Sequence, residues 1–199
     1  EVGRLMAESM LENIPDGGDI FLIQGPLTDN NVSLIREGID ETLAGSNLNV
    51  VYEANCPGWI AENAYTYTKE GLKLDRNVKG IICGNDDLAS QAFRALSEER
   101  LAGKVCVTGQ DGDLAACQRI VEETQEMTAF KSVEQEASLA AKCAVLLGLG
   151  EEIEEVQDTA YDGTYNVPYL ELQPIAVTKE NMDEVIIKGG FHAKEDVYL

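Results

Sequence analysis

Val78-Lys79-Gly80-Ile81-Ile82-Cys83 runs directly into Gly84-Asn85-Asp86-Asp87, and Val105-Cys106-Val107-Thr108 runs into Gly109-Gln110-Asp111-Gly112-Asp113. Short apolar runs without polar alternation fit strands that are covered on both faces. Each run is followed by residues at helical spacing, Ser90 to Leu96 and Leu114 to Glu123. Each therefore predicts a buried strand that delivers polar side chains to its carboxyl end. In open α/β sheets, ligands bind along that edge.

The same alternation extends outward from these two runs. Gly3 to Ile14 is amphipathic, with Leu5, Met6, Met10, Leu11 and Ile14 at helical spacing, and Pro15-Asp16-Gly17-Gly18 ends it. Ile20 to Ile23 predicts a strand, Asn31 to Ala44 a helix, Leu48 to Tyr52 a strand and Glu62 to Leu74 a helix. Beyond the second run come a strand at Met127 to Phe130 and an Ala-rich helix at Val133 to Leu147. From Ile153 the character changes. Short β-like pieces (Val156–Thr159, Tyr169–Leu172, Ile175–Val177) surround a Gly/Tyr/Asn/Pro loop, and a last helical turn starts near Lys179. Strands alternating with helices of this length predict an α/β fold with a doubly wound parallel sheet. One irregularity stands out: the chain opens with a helix where such units normally open with a strand. Either an edge strand comes from elsewhere, or the chain is part of something longer.

Composition narrows the function. The formal charge of −21 argues against nucleic acid and anionic lipid, both of which need Lys and Arg clusters. It suits a soluble protein and a neutral ligand such as a sugar. No run approaches the ~20 apolar residues of a membrane span, and the first residues carry no secretory h-region. Five cysteines (Cys56, Cys83, Cys106, Cys117, Cys143), an odd number without CxxC spacing, read as free structural thiols. That suggests a reducing setting or export from an anaerobe. With His192 the only histidine, neither zinc nor any other metal or cofactor is expected.

Each polar cluster has two readings. In Thr28-Asp29-Asn30-Asn31, Asp29 or Asn30 caps the following helix, or the group presents carboxylate and amide to a polyol. Trp59, the only tryptophan, is either a core residue or, given the preceding Pro57-Gly58, an exposed ring on which a pyranose stacks. Asn85-Asp86-Asp87 is a cap or a set of ligand contacts. In Gln110-Asp111-Gly112-Asp113, Asp113 is the better cap and Asp111 is left over. Paired acids also suggest a glycosidase, but no neighbour is evidently placed to raise one pKa. Nucleophile-elbow, P-loop and dinucleotide patterns are absent, so no enzyme is expected.

Together these clusters resemble the type I periplasmic sugar-binding proteins of ABC transporters. The residues that carry the likeness are Thr28-Asp29-Asn30-Asn31, Gly58-Trp59 with Glu62-Asn63-Ala64, Gly84-Asn85-Asp86, Thr108 to Leu114, Met127-Thr128-Ala129-Phe130-Lys131, and Ile187-Lys188 with Gly190-Phe191-His192. The resemblance implies a two-lobed protein that closes on one monosaccharide, D-xylose or a similar aldopyranose. It implies ligand contacts by Asp29, Asn31, Asn85, Asp111 and Lys131, with Trp59 as the stacking residue. It also implies an extracytoplasmic location, periplasmic or extracellular, with membrane association in a Gram-positive cell. The implied partner is an ABC permease. Alternatives are a sugar sensor for a membrane histidine kinase and the effector core of a LacI-type repressor.

Family members carry further sequence ahead of this chain's start, forming most of their N-terminal lobe. By the resemblance, residues 1–110 belong to the C-terminal lobe, 111–131 pack on the N-terminal lobe, and 132–199 return to the C-terminal lobe. The stripe Leu114, Cys117, Ile120 and Val121 is then expected to lack a partner surface and be exposed.

Overall fold

The computed structural model describes residues 1–154, 156 and 158–198. Helix α1 (Val2–Asn13), strand β1 (Gly18–Gln24), α2 (Asn30–Leu43) and β2 (Leu48–Asn55) open the chain. A 3-10 turn (Pro57–Trp59) leads into α3 (Glu62–Leu74), β3 (Gly80–Cys83) and α4 (Asp86–Glu98). Next come β4 (Cys106–Gln110), α5 (Leu114–Val121) and β5 (Met127–Phe130). The remainder comprises α6 (Val133–Leu149), β6 (Asp158–Tyr161), β7 (Asn166–Tyr169), β8 (Ile175–Val177), a π-helical turn (Asp183–Ile187) and α7 (Lys194–Val197). These elements form two compact units: Glu1–Phe130 with the segment from Ile175 onward, and Lys131–Pro174.

The first unit holds a six-stranded sheet in the order β2-β1-β3-β4-β5-β8. Its first five strands are parallel, and β8 pairs antiparallel with β5. The apolar runs are explained by burial on both faces. Ile20, Leu22 and Ile82 pack with Met6 and Met10 of α1 and Ile35 and Ile39 of α2. Phe21, Ile23, Ile81 and Cys83 face Ala64 and Leu72 of α3 and Leu88, Ala92 and Leu96 of α4. Each fully buried side chain of this size contributes ~1.5–3 kcal/mol relative to exposure. The strand order reverses between β1 and β3, which opens a crevice at their carboxyl ends. Helix α1 packs on α2 and on β4 and β5.

Residues 111–130 belong to the first unit. They do not stand apart from the sheet: β5 pairs with β4 through Thr108–Met127 and Gln110–Ala129, and α5 lies against the same unit. Cys117 and Ile120 are buried with Phe130, Val177, Met182, Ile186 and Val197, while Leu114 and Val121 are partly covered. The stripe expected to be exposed has found its partners in the C-terminal segment, a contact between residues too distant in sequence to be anticipated. Residues 131–174 form the second unit.

In the second unit, Ser132 Oγ accepts from Gln135 N at 3.3 Å and starts α6, and Gly150 in the left-handed region ends it. Among the described residues, α6 has no buried side chain. Asp162 Oδ1 accepts from Thr164 N and Tyr165 N, which fixes the turn between β6 and β7 and pairs Tyr161 with Asn166. The strand expected at Tyr169–Leu172 therefore falls earlier, at Asn166–Tyr169. The strand expected at Val156–Thr159 overlaps β6 at Asp158 and Thr159, while its residue 157 lies outside the described residues. The helical turn expected from about Lys179 begins at Asp183, and a further one, α7, follows it.

Candidate functional site

At the carboxyl edge of the sheet, β1 runs into Gly25 and β3 into Gly84, with their backbones close together. Gly84 N donates to Ile23 O at 2.8 Å. The Trp59 indole lies on both glycines. A Cβ at Gly25 would sit 2.3 Å from Trp59 Cζ2, and one at Gly84 would sit 3.2 Å from Cζ3. Only residues without side chains leave room for this seat. The ring is half-buried, and its Nε1 donates to Asp29 Oδ2 at 3.1 Å. Trp59 itself adopts φ +58, next to Gly58 at φ +62. Left-handed backbone is costly for a bulky residue, so the turn after Pro57 aims the ring at the expense of local strain.

Asp29 performs two tasks at once. Its Oδ1 accepts from Asn31 N at 2.9 Å and caps α2, while Oδ2 holds the indole. Of the two readings for this residue the structure shows the cap, and the same carboxylate also orients the tryptophan. Asn31 is exposed on the first turn of α2. Asn85 caps α4 through Oδ1, which accepts from Leu88 N at 3.0 Å. Gln110 Nε2 donates to Gly84 O at 2.6 Å and ties the ends of β3 and β4 together.

Asp111 follows β4 with φ +101, an unusual value for a residue with a side chain. Its N–H donates to Ala129 O at 3.1 Å. Asp113 stands at the N-cap of α5 but makes no side-chain cap hydrogen bond, contrary to the expectation that it is the better cap. Its carboxyl is held above the usual range, first by burial and then by the charges of Asp87 and Asp111. The expectation that no neighbour raises an acid's pKa is therefore corrected. Asp86 departs further: burial pushes it up to about 7, against hydrogen bonds from Thr128, Gln125 and Asp113 that favour the charged form. Being fully buried, it is sealed from any solute and does not act as a glycosidase acid.

Of the six residues singled out in the sequence, Asp29, Asn31, Trp59, Asn85 and Asp111 lie on loops or helix starts at the carboxyl edge of one sheet. Lys131 is exposed and opens the second unit directly after β5. Sequence reasoning missed the Gly25–Gly84 seat, although both glycines directly follow buried runs, a signal that was available. It also missed the role of Asp86, whose partners lie 26 to 42 residues away. Among the described residues, no group of His, Cys, Asp and Glu side chains is arranged to hold a metal ion. Among them, too, no helix is long and apolar enough to cross a membrane. All five cysteines are free; burial pushes the Cys56 thiol up to about 11 and Cys117 up to about 12. Such thiols are poor nucleophiles at neutral pH.

Comparison with known proteins supplies the family and the fold. The periplasmic binding protein domain family matches residues 1–152. A D-xylose-binding periplasmic protein of Haemophilus influenzae is 40% identical over 203 residues, covering 100% of this chain and 60% of the relative. Its Escherichia coli counterpart is 36% identical, covering 99% of this chain and 61% of the relative. The chain thus spans about three-fifths of the length of these curated relatives. An ABC transporter solute-binding protein from Clostridium phytofermentans with bound β-D-glucose superposes with a TM-score of 0.84 at 23% identity, covering 98% of this chain and 67% of that one. At that identity the likeness speaks for the fold alone. One from Actinobacillus succinogenes with bound D-allose gives a TM-score of 0.77 at 25% identity, covering 90% and 59%.

Proposed function

The chain belongs to the periplasmic binding protein domain family, and on that premise we propose that it supplies one wall of the sugar cleft in the solute-binding component of an ABC importer. The ligand is one monosaccharide, D-xylose or a similar aldopyranose. The observation that carries this reading is the Trp59 indole, seated on Gly25 and Gly84 and pinned by Asp29 at the point where strand order reverses. A flat ring fixed in that way suits the C–H face of a pyranose.

Around it, Asp29, Asn31, Asn85 and Asp111 supply acceptors and amides for sugar hydroxyls. Carboxylates accept strongly from hydroxyl groups, whereas an anionic sugar would meet repulsion from Asp29, Asp87, Asp111 and Asp113. The work is recognition and closure, with no bond made or broken. It takes place outside the cytoplasmic membrane, in the periplasm or, in a Gram-positive cell, at the membrane surface. The partner is the importer's permease in preference to a sensor kinase, because the two D-xylose relatives carry binding-protein names.

Calorimetric titration of the intact protein with D-xylose, D-glucose, D-allose and a sugar acid tests the proposal. One neutral monosaccharide is expected to bind at micromolar concentration or below and the sugar acid not at all. If every neutral sugar needs millimolar concentration, the cleft reading is wrong.

A further inference from the structure

Asp86 is a carboxylate for which the cleft itself has no use. It is fully buried, one residue beyond Asn85, and among the described residues it accepts four hydrogen bonds. Gly112 N and Asp113 N each reach Oδ2 at 3.0 Å, and Thr128 Oγ1 reaches the same oxygen at 2.7 Å. Gln125 Nε2 donates to Oδ1 at 3.0 Å. The cluster is closed on itself: Gly112 N also donates to Thr128 Oγ1 at 3.0 Å, and Arg119 Nε donates to Gln125 Oε1 at 2.9 Å. The buried guanidinium is thus linked to Asp86 through an amide. A Cβ at Gly109 would sit 2.2 Å from Asp86 Oδ1, so β4 has left space for the carboxylate.

Two of the four donors are peptide N–H groups of the segment carrying Asp111. That residue holds φ +101, a conformation that persists only where its surroundings impose it. We infer that Asp86 is a positioning residue for the sugar site, its buried carboxylate gripping Gly112 and Asp113 so that Asp111 stays in the strained form presented to the ligand. Asp86 touches no ligand itself. This inference rests on the cleft reading of Asp111. The charged and titratable groups facing the cluster are Asp87 on α4, Cys83 on β3, Asp111 and Asp113 on the segment, Cys117 and Arg119 on α5, and His192 of the C-terminal segment, whose Nε2 lies 2.7 Å from Gly112 O. Burial makes the ionised carboxylate expensive, as its raised pKa records, yet ionised it satisfies all four donors. A group that costs stability while fixing a ligand contact is typical of a functional position.

A double-mutant cycle in the intact protein, read by D-xylose affinity, tests the inference. Asp86→Asn is expected to weaken binding ~10- to 30-fold alone and to add less than ~3-fold in an Asp111→Ala background, because both changes remove the same contact. Multiplicative effects, or a folded Asp86→Asn protein with affinity within ~2-fold of the parent, would overturn it. If Asp86→Asn does not fold, Thr128→Val removes one donor and is expected to give the same non-additivity at ~3- to 10-fold. Amide hydrogen exchange without sugar separates the two readings. Gly112 and Asp113 are expected to exchange ~10- to 100-fold faster in either variant, with β3 amides unchanged. Faster exchange in a protein that binds no sugar would sink the cleft reading and retain the grip; unchanged exchange would sink the grip.

Discussion

Replacing Gly25 with alanine attacks the tryptophan seat without touching the tryptophan. Backbone conformation is no obstacle, since Gly25 lies outside the left-handed region, and the three atoms nearest the new Cβ are all indole carbons, at 2.3, 2.4 and 2.5 Å. Restoring a carbon–carbon distance of about 3.5 Å requires the ring to move about 1.2 Å. Overpacking of this kind costs ~1–3 kcal/mol. The shift also stretches the 3.1 Å bond from Nε1 to Asp29 Oδ2 beyond useful length. A hydrogen bond to a charged acceptor is worth ~1.5–3 kcal/mol, with the lower end fitting a half-exposed site. Relaxation of the ring toward solvent relieves some of both. A net loss of ~2–3 kcal/mol corresponds to a fall in Tm of roughly 4–12 °C.

Because Trp59 is the only tryptophan, its fluorescence reports the seat directly. Emission is expected to move to longer wavelength and acrylamide quenching to rise, with far-UV circular dichroism unchanged. Gly148→Ala is the control: nothing lies within 4 Å of its Cβ, so emission should stay put and stability rise by ~0.5–1 kcal/mol. If Gly25→Ala leaves emission, quenching and Tm at parental values, the ring does not rest on Gly25 and the description of the site is wrong.

Three further outcomes follow from particular contacts. The Asp86 carboxyl, near 7 folded against ~3.9 unfolded, keeps its proton longer in the folded state, so its contribution to stability is complete below about pH 4 and lost as pH rises through about 7. The difference is at most about 4 kcal/mol. Urea denaturation at pH 5 and pH 8 should show a flatter pH dependence in Asp86→Asn than in the parent, and identical slopes would contradict this. Ile120→Ala, in the packed α5 stripe, is expected to cost ~2–5 kcal/mol by denaturant titration; a cost below ~1 kcal/mol would mean that α5 is not docked. Trp59→Ala in the intact protein should weaken sugar binding by ~1–3 kcal/mol, by analogy with aromatic stacking on a nucleobase, and unchanged affinity would remove the indole from the site.

Much of the architecture was legible because burial on both faces leaves a local trace. Ile20–Ile23 and Ile81–Cys83 lack polar alternation, so they had to be covered strands, and the helical spacing between them supplied the cover. The edge bearing the ligand candidates followed from the same reading, as did the caps formed by Asp29 and Asn85, whose partners lie two and three residues away.

Tertiary structure decided the rest. That α5 is covered depends on Val177, Met182, Ile186 and Val197, and no periodicity within Leu114–Val121 announces them. The joining of cap and tryptophan at Asp29 spans 30 residues, and the grip of Asp86 on Thr128 spans 42. Spacing along the chain records which face of an element is apolar or which residue can cap its own helix. It carries no record of which distant donors converge on one oxygen, because that is set by the packing angles of strands and helices once they meet.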